Sequence, residues 1–298
     1  MSAVNFVLKE IASDMETILN KCGIMYHVFY RTKSPQSIKN KLDKKEESYR
    51  AEGKKMQDLL ALRITLYFTD DVELVYDYFR NQPNFDSESV DVAEVDRFCP
   101  KRLNLVMRVP EKYKADIAFA KNNTGHSDLI DDTYEIQIRT ILSEGWHEVE
   151  HDLRYKCKDD WTNYLEESRS LNGIYASLES SEWSMLTLFD RLAYAQYKEG
   201  AWSAMMRNKM RLRFVDKGLS KEIIEHLSRH QELAKKLFRV KRSKILKAIM
   251  EEKKFSFPLT YDTVLHLLNH IDVKDRELAD LEVPILRNDM DLLFGTIE

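Results

Sequence analysis

The stretch YEIQIRT, residues 134–140, carries most of what the sequence indicates about the fold. It is rich in β-branched and aromatic residues, and apolar and polar residues alternate along it, which is typical of a β-strand. Alternate side chains of a strand point to opposite faces, so Glu135, Gln137 and Arg139 share one face. A solvated outer face gives the same alternation, so this strand alone does not separate a functional site from a polar surface.

Further runs of the same kind predict three more strands, which are residues 27–34 (HVFYRTKS), 59–68 (LLALRITLYF) and 102–109 (RLNLVMRV). Between the first two strands, residues 36–50 are polar with helical spacing. Ser34 is placed as an N-cap with Pro35 in the first turn of that helix. Helical spacing also dominates after residue 142, with predicted helices at 143–156, 163–195, 198–213, 220–254 and 261–271. We therefore expect an α+β part followed by helices.

Composition sets wide limits on function. A chain of 298 residues with 43% hydrophobic content can bury one large core or two smaller ones. No run approaches the roughly 20 apolar residues of a membrane span, and the N-terminus mixes charged residues into its apolar pattern, so we expect a cytoplasmic protein without membrane contact. Three distant cysteines without C-x-x-C spacing indicate neither disulfides nor a thiolate zinc site.

The charge is balanced overall, with 46 basic against 50 acidic residues, so the whole molecule is not an evident polyanion binder. Residues 235–250 nevertheless contain seven basic and no acidic residues. With the basic residues between 207 and 213, this segment is the candidate docking surface for an RNA. The competing interpretation is an ordinary amphipathic helix over 220–254, packed through its apolar stripe.

Charged residues of both signs lie on or next to the predicted strands of the first half. Asp58 directly precedes one strand, and Glu135 lies within another. The cations available to the same sheet face are Arg31, Lys33, Arg63 and Arg139. Mg²⁺ bound to a triphosphate needs such a mixture, because hard oxygen ligands hold the metal and cationic donors hold the phosphates.

Five ordered motifs then point to a family: R-x-K-S (31–34), S-I-x-x-K (37–41), D-L-L-A-L-R-I (58–64), E-I-Q-I-R-T (135–140) and E-H-x-x-x-Y-K (150–156). Together they closely resemble the RelA/SpoT (p)ppGpp synthetase domain. The resemblance implies a nucleotidyltransferase-like mixed β-sheet core flanked by helices. It places a synthetase domain at 1–160 and an all-helical C-terminal region at 161–298. Since no H-D motif suits a hydrolase, we expect a small stand-alone synthetase that forms homo-oligomers.

The activity that the resemblance implies is transfer of the β,γ-diphosphate of ATP to the 3′-hydroxyl of a guanosine nucleotide. Asp58 and Glu135 would hold Mg²⁺, and Glu135 would also take the proton of the attacking hydroxyl. ATP would be bound by Arg31, Lys33, Ser34, Lys41 and Arg63. The acceptor and phosphates would be bound by Gln137, Arg139, His151 and Lys156.

One strand departs from the family pattern. Synthetases that act on GTP or GDP usually carry Y-x-S-x-H before E-x-Q-I-R-T, with the Tyr stacked on guanine. Here that strand is RLNLVMRV, where Arg102, Asn104 and Arg108 share a face, so Arg102 and Asn104 become the candidate acceptor ligands. Two alternatives follow: a toxin that pyrophosphorylates the 3′ end of tRNA, and a non-catalytic nucleotide sensor.

Residues 147–151, HEVEH, also match the H-E-x-x-H zinc signature, in which two His bind metal and the Glu is general base. Glu166, Glu167 or Glu179 would be the third ligand of such a zinc hydrolase. The synthetase interpretation explains the same helix together with its neighbours, so we favour it. The pairs at 226/230 and 266/270 have metal-compatible spacing, but no carboxylate or Cys is arranged with them along the sequence, so we expect no metal there.

Overall fold

The structure is a computed structural model that describes residues 2–53, 55–91, 103–252 and 254–297. Two compact units make up the chain. Unit 1 consists of Met1–Glu16 and Tyr26–Glu182, and unit 2 of Thr17–Met25 and Trp183–Glu298. The predicted domain boundary after residue 160 stays a prediction.

The strands lie between residues 26 and 140, and they are β1 (Tyr26–Thr32), β2 (Leu60–Leu66), β3 (Phe85–Val90), β4 (Leu103–Arg108) and β5 (Thr133–Thr140). The helices before residue 200 are α1 (Ser2–Lys21), α2 (Pro35–Glu52), α3 (Asp70–Arg80), α4 (Lys114–Asn122), α5 (Ile141–Glu150) and α6 (Leu165–Glu199). The later helices are α7 (Trp202–Met210), α8 (Lys221–Arg229), α9 (Gln231–Arg239), α10 (Arg242–Glu251), α11 (Tyr261–Leu268), α12 (Arg276–Ala279) and α13 (Pro284–Phe294).

The described strands form one five-stranded sheet in unit 1, with the order β1-β2-β5-β4-β3. Strands β2 and β5 are parallel at the centre, and every other neighbouring pair is antiparallel. A parallel pair needs a long crossover, which the chain supplies through α3, β3, β4 and α4. The predicted α+β fold, a mixed sheet flanked by helices with a helical C-terminal region, is confirmed.

Strand β3 was absent from the sequence prediction. Its sequence FDSESV carries few β-formers, and its residues are half-buried or exposed. Among the described strands it lies at the edge of the sheet and pairs only with β4. Edge strands are often polar, because polar and charged residues discourage pairing with other chains.

Short capping sequences place α2 and α5 against the sheet. Ser34 is extended, its hydroxyl oxygen accepts a hydrogen bond from the Ser37 amide, and α2 starts at Pro35, as the sequence predicts. At the other end, Gly53 has φ +63°, a left-handed conformation that glycine adopts without strain. Thr140 ends β5 and caps α5 by accepting from the amide of Ser143. The site residues of β5 therefore lead directly into α5.

Unit 2 is helical, but the single helix predicted over 220–254 is wrong. The backbone leaves helical geometry at His230 (φ −116°, ψ 68°) and again at Val240 (φ −62°, ψ 131°), which separates α8, α9 and α10. No Gly or Pro marks these breaks. The three helices each bury their own apolar residues, so tertiary packing outweighs the local helical preference. Among the described helices, none combines the length and apolarity needed to cross a membrane.

Candidate active site

One face of the sheet gathers the polar side chains of four strands. Residues that lie opposite each other in neighbouring strands share a face. Arg63 of β2 and Asn104 of β4 both lie opposite Gln137 of β5. With the alternation along each strand, this register gives a polar face made of Arg31, Arg63, Asn104, Glu135, Gln137 and Arg139.

A cavity of about 690 Å³ opens over one part of this face, and we call it the carboxylate pocket. Asp58 and Glu135 both line it. The other lining residues come from α2, the segment before β2, β3, β4 and the segment before β5, and they are Lys41, Tyr49, Gly53, Lys55, Gln57, Ser89, Asn104, Val106 and Asp131.

Asp58 is held by two lysines. The ammonium group of Lys41 lies 2.9 Å from both carboxylate oxygens, and that of Lys33 donates to one of them. Burial alone would raise the pKa of Asp58, but the hydrogen bonds and charges of the lysines outweigh it and lower the pKa. Burial would likewise lower the pKa of Lys41, and the Asp58 carboxylate raises it instead. This corner of the pocket therefore stays fully charged at neutral pH.

Glu135 has neutral partners. The side-chain amide of Asn104 donates to one carboxylate oxygen, and the amide of Gln137 donates to the other at 3.4 Å. Gln137 in turn accepts from Nε of Arg63 at 3.1 Å. A chain of hydrogen bonds thus crosses β2, β5 and β4 and fixes the orientation of the Glu135 carboxylate.

A second cavity of about 410 Å³, which we call the arginine pocket, lies over the neighbouring part of the face. Its lining residues combine apolar side chains with two guanidinium groups, and they are Phe29, Tyr30, Arg31, Ala61, Leu62, Arg63, Gln137, Ile141, Glu144, Gly145 and Glu148. Phe29 is about half exposed and lies opposite Arg63, so its ring is available to a ligand on this face. Because Gln137 lines this pocket and donates to Glu135, the two cavities share a hydrogen-bonded wall.

Two glutamates of α5 hold the arginines of the sheet. Arg63 donates to Glu144 and Glu148, and Arg139 donates to Glu144 at 3.1 Å. Burial lowers the pKa of Arg139, while the charge of Glu144 opposes that shift. Burial would raise the pKa of Glu148, but its hydrogen bond and ion pair with Arg63 lower it. Arg139 is bound within the protein, whereas Arg63 also lines the arginine pocket.

The region of this sheet matches a known protein family. Residues 30–160 match the family model described as a region found in RelA / SpoT proteins. We call residues 30–160 the RelA/SpoT region after this match. No curated protein matches the sequence.

Several solved structures are similar to the chain. The small alarmone synthetase 1 from Bacillus subtilis is 20% identical, with a TM-score of 0.47 over 63% of this chain and 92% of that chain. The small alarmone synthetase 2 from the same organism is 21% identical, with a TM-score of 0.45 over 62% and 92%. A GTP pyrophosphokinase family protein from Streptococcus pneumoniae is 20% identical, with a TM-score of 0.45 over 61% and 88%.

The remaining predicted residues of the RelA/SpoT region lie elsewhere. His151 and Lys156 both contact Asp152, at 3.1 Å and 2.5 Å, and neither lines either of the two cavities. The hydroxyl of Ser34 is used as the α2 cap, 2.8 Å from that of Ser37. Arg102 lies outside the described residues. The structure thus brings Arg31, Arg63, Asn104, Glu135 and Gln137 together on one face, with Lys33, Lys41 and Asp58 beside it.

The oxygen atoms of the carboxylate pocket fit a Mg²⁺ ion. Mg²⁺ prefers carboxylate and amide oxygens, and it is bound through few protein ligands together with substrate phosphates. Asp58 and Glu135 supply carboxylates. The side-chain oxygen of Asn104 is buried without a hydrogen-bond partner in the structure, although its amide nitrogen donates to Glu135. A cation beside Glu135 would give this oxygen a partner.

The H-E-x-x-H helix of the RelA/SpoT region is arranged differently from a zinc site. Its Glu148 is engaged by Arg63, and the rings of His147 and His151 are stacked with centroids 6.2 Å apart. Burial and the charges of Arg139 and Arg63 lower the pKa of His147 to about 4. Across the described residues, three metal-ligand atoms lie within 4.8 Å of one another in a different place, at His226, His230 and Glu277.

That cluster corrects the expectation that the histidine pairs lack a carboxylate. Glu277 lies beside the pair at 226/230, and Glu282 accepts from the buried His270 at 2.9 Å. Both glutamates lie outside the helices of their histidine partners. Residue spacing along one helix therefore did not predict these contacts. In unit 1, by contrast, Phe29 and Glu148 could have been found. Phe29 shares the strand face of Arg31, and Glu148 lies one helical turn after Glu144.

Proposed function

We propose that the chain is an ATP-dependent pyrophosphokinase that transfers the β,γ-diphosphate of ATP to the 3′-hydroxyl of a guanosine nucleotide. The observation that carries the proposal is the joint lining of one cavity by Asp58 and Glu135, beside a second cavity lined by Arg31 and Arg63. The RelA/SpoT region and the likeness to proteins named as alarmone synthetases and GTP pyrophosphokinases are in keeping with it.

In this proposal the two cavities divide the donor nucleotide between them. The polyphosphate, with Mg²⁺ held by Asp58 and Glu135, occupies the carboxylate pocket, where Lys33 and Lys41 neutralise phosphate charge. The arginine pocket receives the adenine, because the ring of Phe29 and the flat guanidinium of Arg31 are surfaces on which a base stacks. Arg63 lies near the boundary and binds phosphate when Glu148, which is half exposed, releases it.

Glu135 acts as the general base. Its carboxylate takes the proton of the acceptor 3′-hydroxyl, whose oxygen forms a bond to the β-phosphorus of ATP. The bond between that phosphorus and the oxygen bridging to the α-phosphate breaks, and AMP leaves with the electron pair. The bound Mg²⁺ would stabilise negative charge on the phosphate oxygens. Asn104 and Gln137 hold the carboxylate in place, so the protein contributes mainly position and charge.

The sequence identifies the residues that would bind the acceptor less clearly than those that would bind ATP. Strand β4 (LNLVMR) carries neither the Tyr nor the His of the family's Y-x-S-x-H pattern, and this difference makes tRNA a second candidate acceptor. The basic segment 235–250 is less free than its composition indicates, because Lys235 pairs with Glu232 and Lys244 with Asp272. We therefore rank a guanosine nucleotide before tRNA.

A labelled transfer assay tests the proposal. The protein is incubated with Mg²⁺ and ATP labelled on the γ-phosphate, with GTP, GDP, ATP or deacylated tRNA as acceptor. We expect label on GTP or GDP and release of AMP in equal amount. Label on tRNA alone would establish the second candidate. Nucleotide binding by calorimetry without any transfer would instead indicate a non-catalytic sensor and would refute the enzyme.

A further inference from the structure

Unit 2 holds a cluster of metal-ligand side chains that the proposed transfer does not use. His226 lies in α8, and His230 follows directly after that helix. Glu277 lies in the first turn of α12, about 50 residues later in the sequence. One ligand atom of each of the three side chains lies within 4.8 Å of the other two.

The geometry of the cluster is close to that of a zinc site. The imidazole rings of His226 and His230 have centroids 4.4 Å apart at an interplanar angle of 29°. Nε2 of His230 lies 3.7 Å from a carboxylate oxygen of Glu277. Neighbouring ligands of tetrahedral Zn²⁺, with bonds of about 2.0–2.1 Å, lie about 3.3 Å apart. Glu277 is 71% exposed and His230 is 45% exposed, so small rotations of these side chains can bring the two atoms from 3.7 Å to the spacing of zinc ligands.

The backbone on both sides of the cluster is well fixed. The N–H of His230 donates to the carbonyl of His226 at 3.0 Å, which closes the last turn of α8. Asp275 caps α12 by accepting from the amide of Leu278. Asn269 exchanges two hydrogen bonds of 2.7 Å with the backbone of Asp275. The ligands are therefore carried on anchored segments, which reduces the entropy lost on binding a metal.

One imidazole nitrogen of the cluster has no partner among the described residues. Nε2 of His226 is buried and makes no hydrogen bond within this part of the chain. A buried polar atom without a partner costs stability, and such an atom calls for an explanation. A metal ion bound at this nitrogen would give it a partner. Neutral imidazole is the form that binds metal.

The charges around the cluster favour a cation. Glu277 supplies a carboxylate, and Asp275 lies near enough to act on His226. The nearby cation Arg229 is paired with Glu225 at 3.0 Å. Two imidazoles and one carboxylate suit Zn²⁺, which takes three protein ligands and water in open sites, whereas Mg²⁺ prefers oxygen ligands alone.

We infer that His226, His230 and Glu277 form a Zn²⁺ site that links the end of α8 to the start of α12. The site is independent of the proposed pyrophosphate transfer. Bound Zn²⁺ would stabilise unit 2, because the unfolded chain does not hold the three ligands together.

Calorimetric titration of the full chain with Zn²⁺, after removal of metal by EDTA, tests this inference. We expect one Zn²⁺ per chain, no displacement by millimolar Mg²⁺, and a rise in Tm of roughly 5 °C at a hundredfold excess of Zn²⁺ over Kd. His226→Gln/His230→Gln should abolish this binding. Glu277→Gln should weaken it about tenfold or more.

His147→Gln/His151→Gln is the matched control, because it removes another histidine pair with the same spacing outside the cluster. This variant should still bind one Zn²⁺ with unchanged affinity. The inference is overturned if the wild-type chain binds no Zn²⁺. It is also overturned if His226→Gln/His230→Gln, with an unchanged circular dichroism spectrum, still binds Zn²⁺ while the control variant does not.

Discussion

The carboxylate pocket and the arginine pocket lie on the same sheet face but hold their charges differently. In the carboxylate pocket, Asp58 is bound by two lysines, while the partners of Glu135 among the described residues are the amides of Asn104 and Gln137. In the arginine pocket, the cation Arg63 is bound by two glutamates among apolar side chains. The first pocket thus offers a free carboxylate for proton transfer, and the second offers stacking surfaces and a cation that can change partners. In the proposed transfer, this difference assigns chemistry to the first pocket and binding to the second.

The largest effect is expected for Glu135→Gln. The amide cannot accept the acceptor proton or bind Mg²⁺ as a carboxylate does, so transfer should fall about 10³-fold or more. The labelled assay measures kcat, and an unchanged circular dichroism spectrum shows that the fold is kept. Glu111→Gln is the control, since Glu111 is exposed and lines neither pocket. Transfer at the wild-type rate by Glu135→Gln would refute its role as base and metal ligand.

Asp58→Asn should affect both activity and stability. Transfer should fall about 10–100-fold, because one Mg²⁺ ligand loses its charge. The free energy of unfolding should fall by about 1–2 kcal/mol, because Lys33 and Lys41 lose a charged hydrogen-bond partner. Urea unfolding measures the second effect. Asp128→Asn is the control, since its ion pair with Arg50 is exposed and should be worth less than about 1 kcal/mol.

The contribution of Asp58 to the free energy of unfolding should decrease as pH falls. Its pKa is lowered in the folded protein, so its contribution is present above the ordinary value of 3.8 and is lost as pH falls through the lower folded pKa. The difference in the free energy of unfolding between Asp58→Asn and the wild type should therefore become smaller at acidic pH. A difference that grows below pH 4 would contradict the ion pairs with the lysines.

A moderate effect is expected for Arg63→Lys. Lysine cannot reproduce the planar guanidinium that donates to Gln137, Glu144 and Glu148 at once. The KM for ATP should rise about tenfold, while kcat should change less than about threefold, because the second pocket binds and does not react. Arg80→Lys is the control, since Arg80 of α3 pairs with Glu88 of β3 outside both pockets. A loss confined to kcat would place Arg63 in the chemistry and break the division between the pockets.

The smallest effect on transfer is expected for His147→Gln, which should change kcat less than about threefold. Its pKa of about 4 lies below the ordinary 6.5, so the unfolded chain takes up a proton first as pH falls. Because of this residue, the free energy of unfolding of the wild type should decrease as pH falls from 6.5 to 4. In His147→Gln this part of the pH dependence should be absent. Urea unfolding at pH 7 and pH 5 measures it, with the exposed His27→Gln as control. An unchanged slope would contradict burial of a neutral His147.

Much of the site could be predicted from the spacing of residues within single strands. Alternation along residues 134–140 put Glu135, Gln137 and Arg139 on one face, because the backbone of a strand sends successive side chains to opposite sides. Other parts needed long-range contacts. The partners of Arg63 on α5, and the missing partner of the Asn104 oxygen, depend on how separate elements meet.

The amino-acid sequence by itself determined the strands β1, β2, β4 and β5, the Ser34 cap, and the polar face with its carboxylates and cations. These features follow from backbone geometry and local hydrogen bonding, which act over a few residues. Tertiary structure decided the parallel pairing of β2 with β5 that places Asp58 and Glu135 in one cavity. It also decided the helix breaks at His230 and Val240 and the approach of Glu277 to His226. These contacts depend on burial of apolar residues far apart in the chain, which no short stretch of sequence contains.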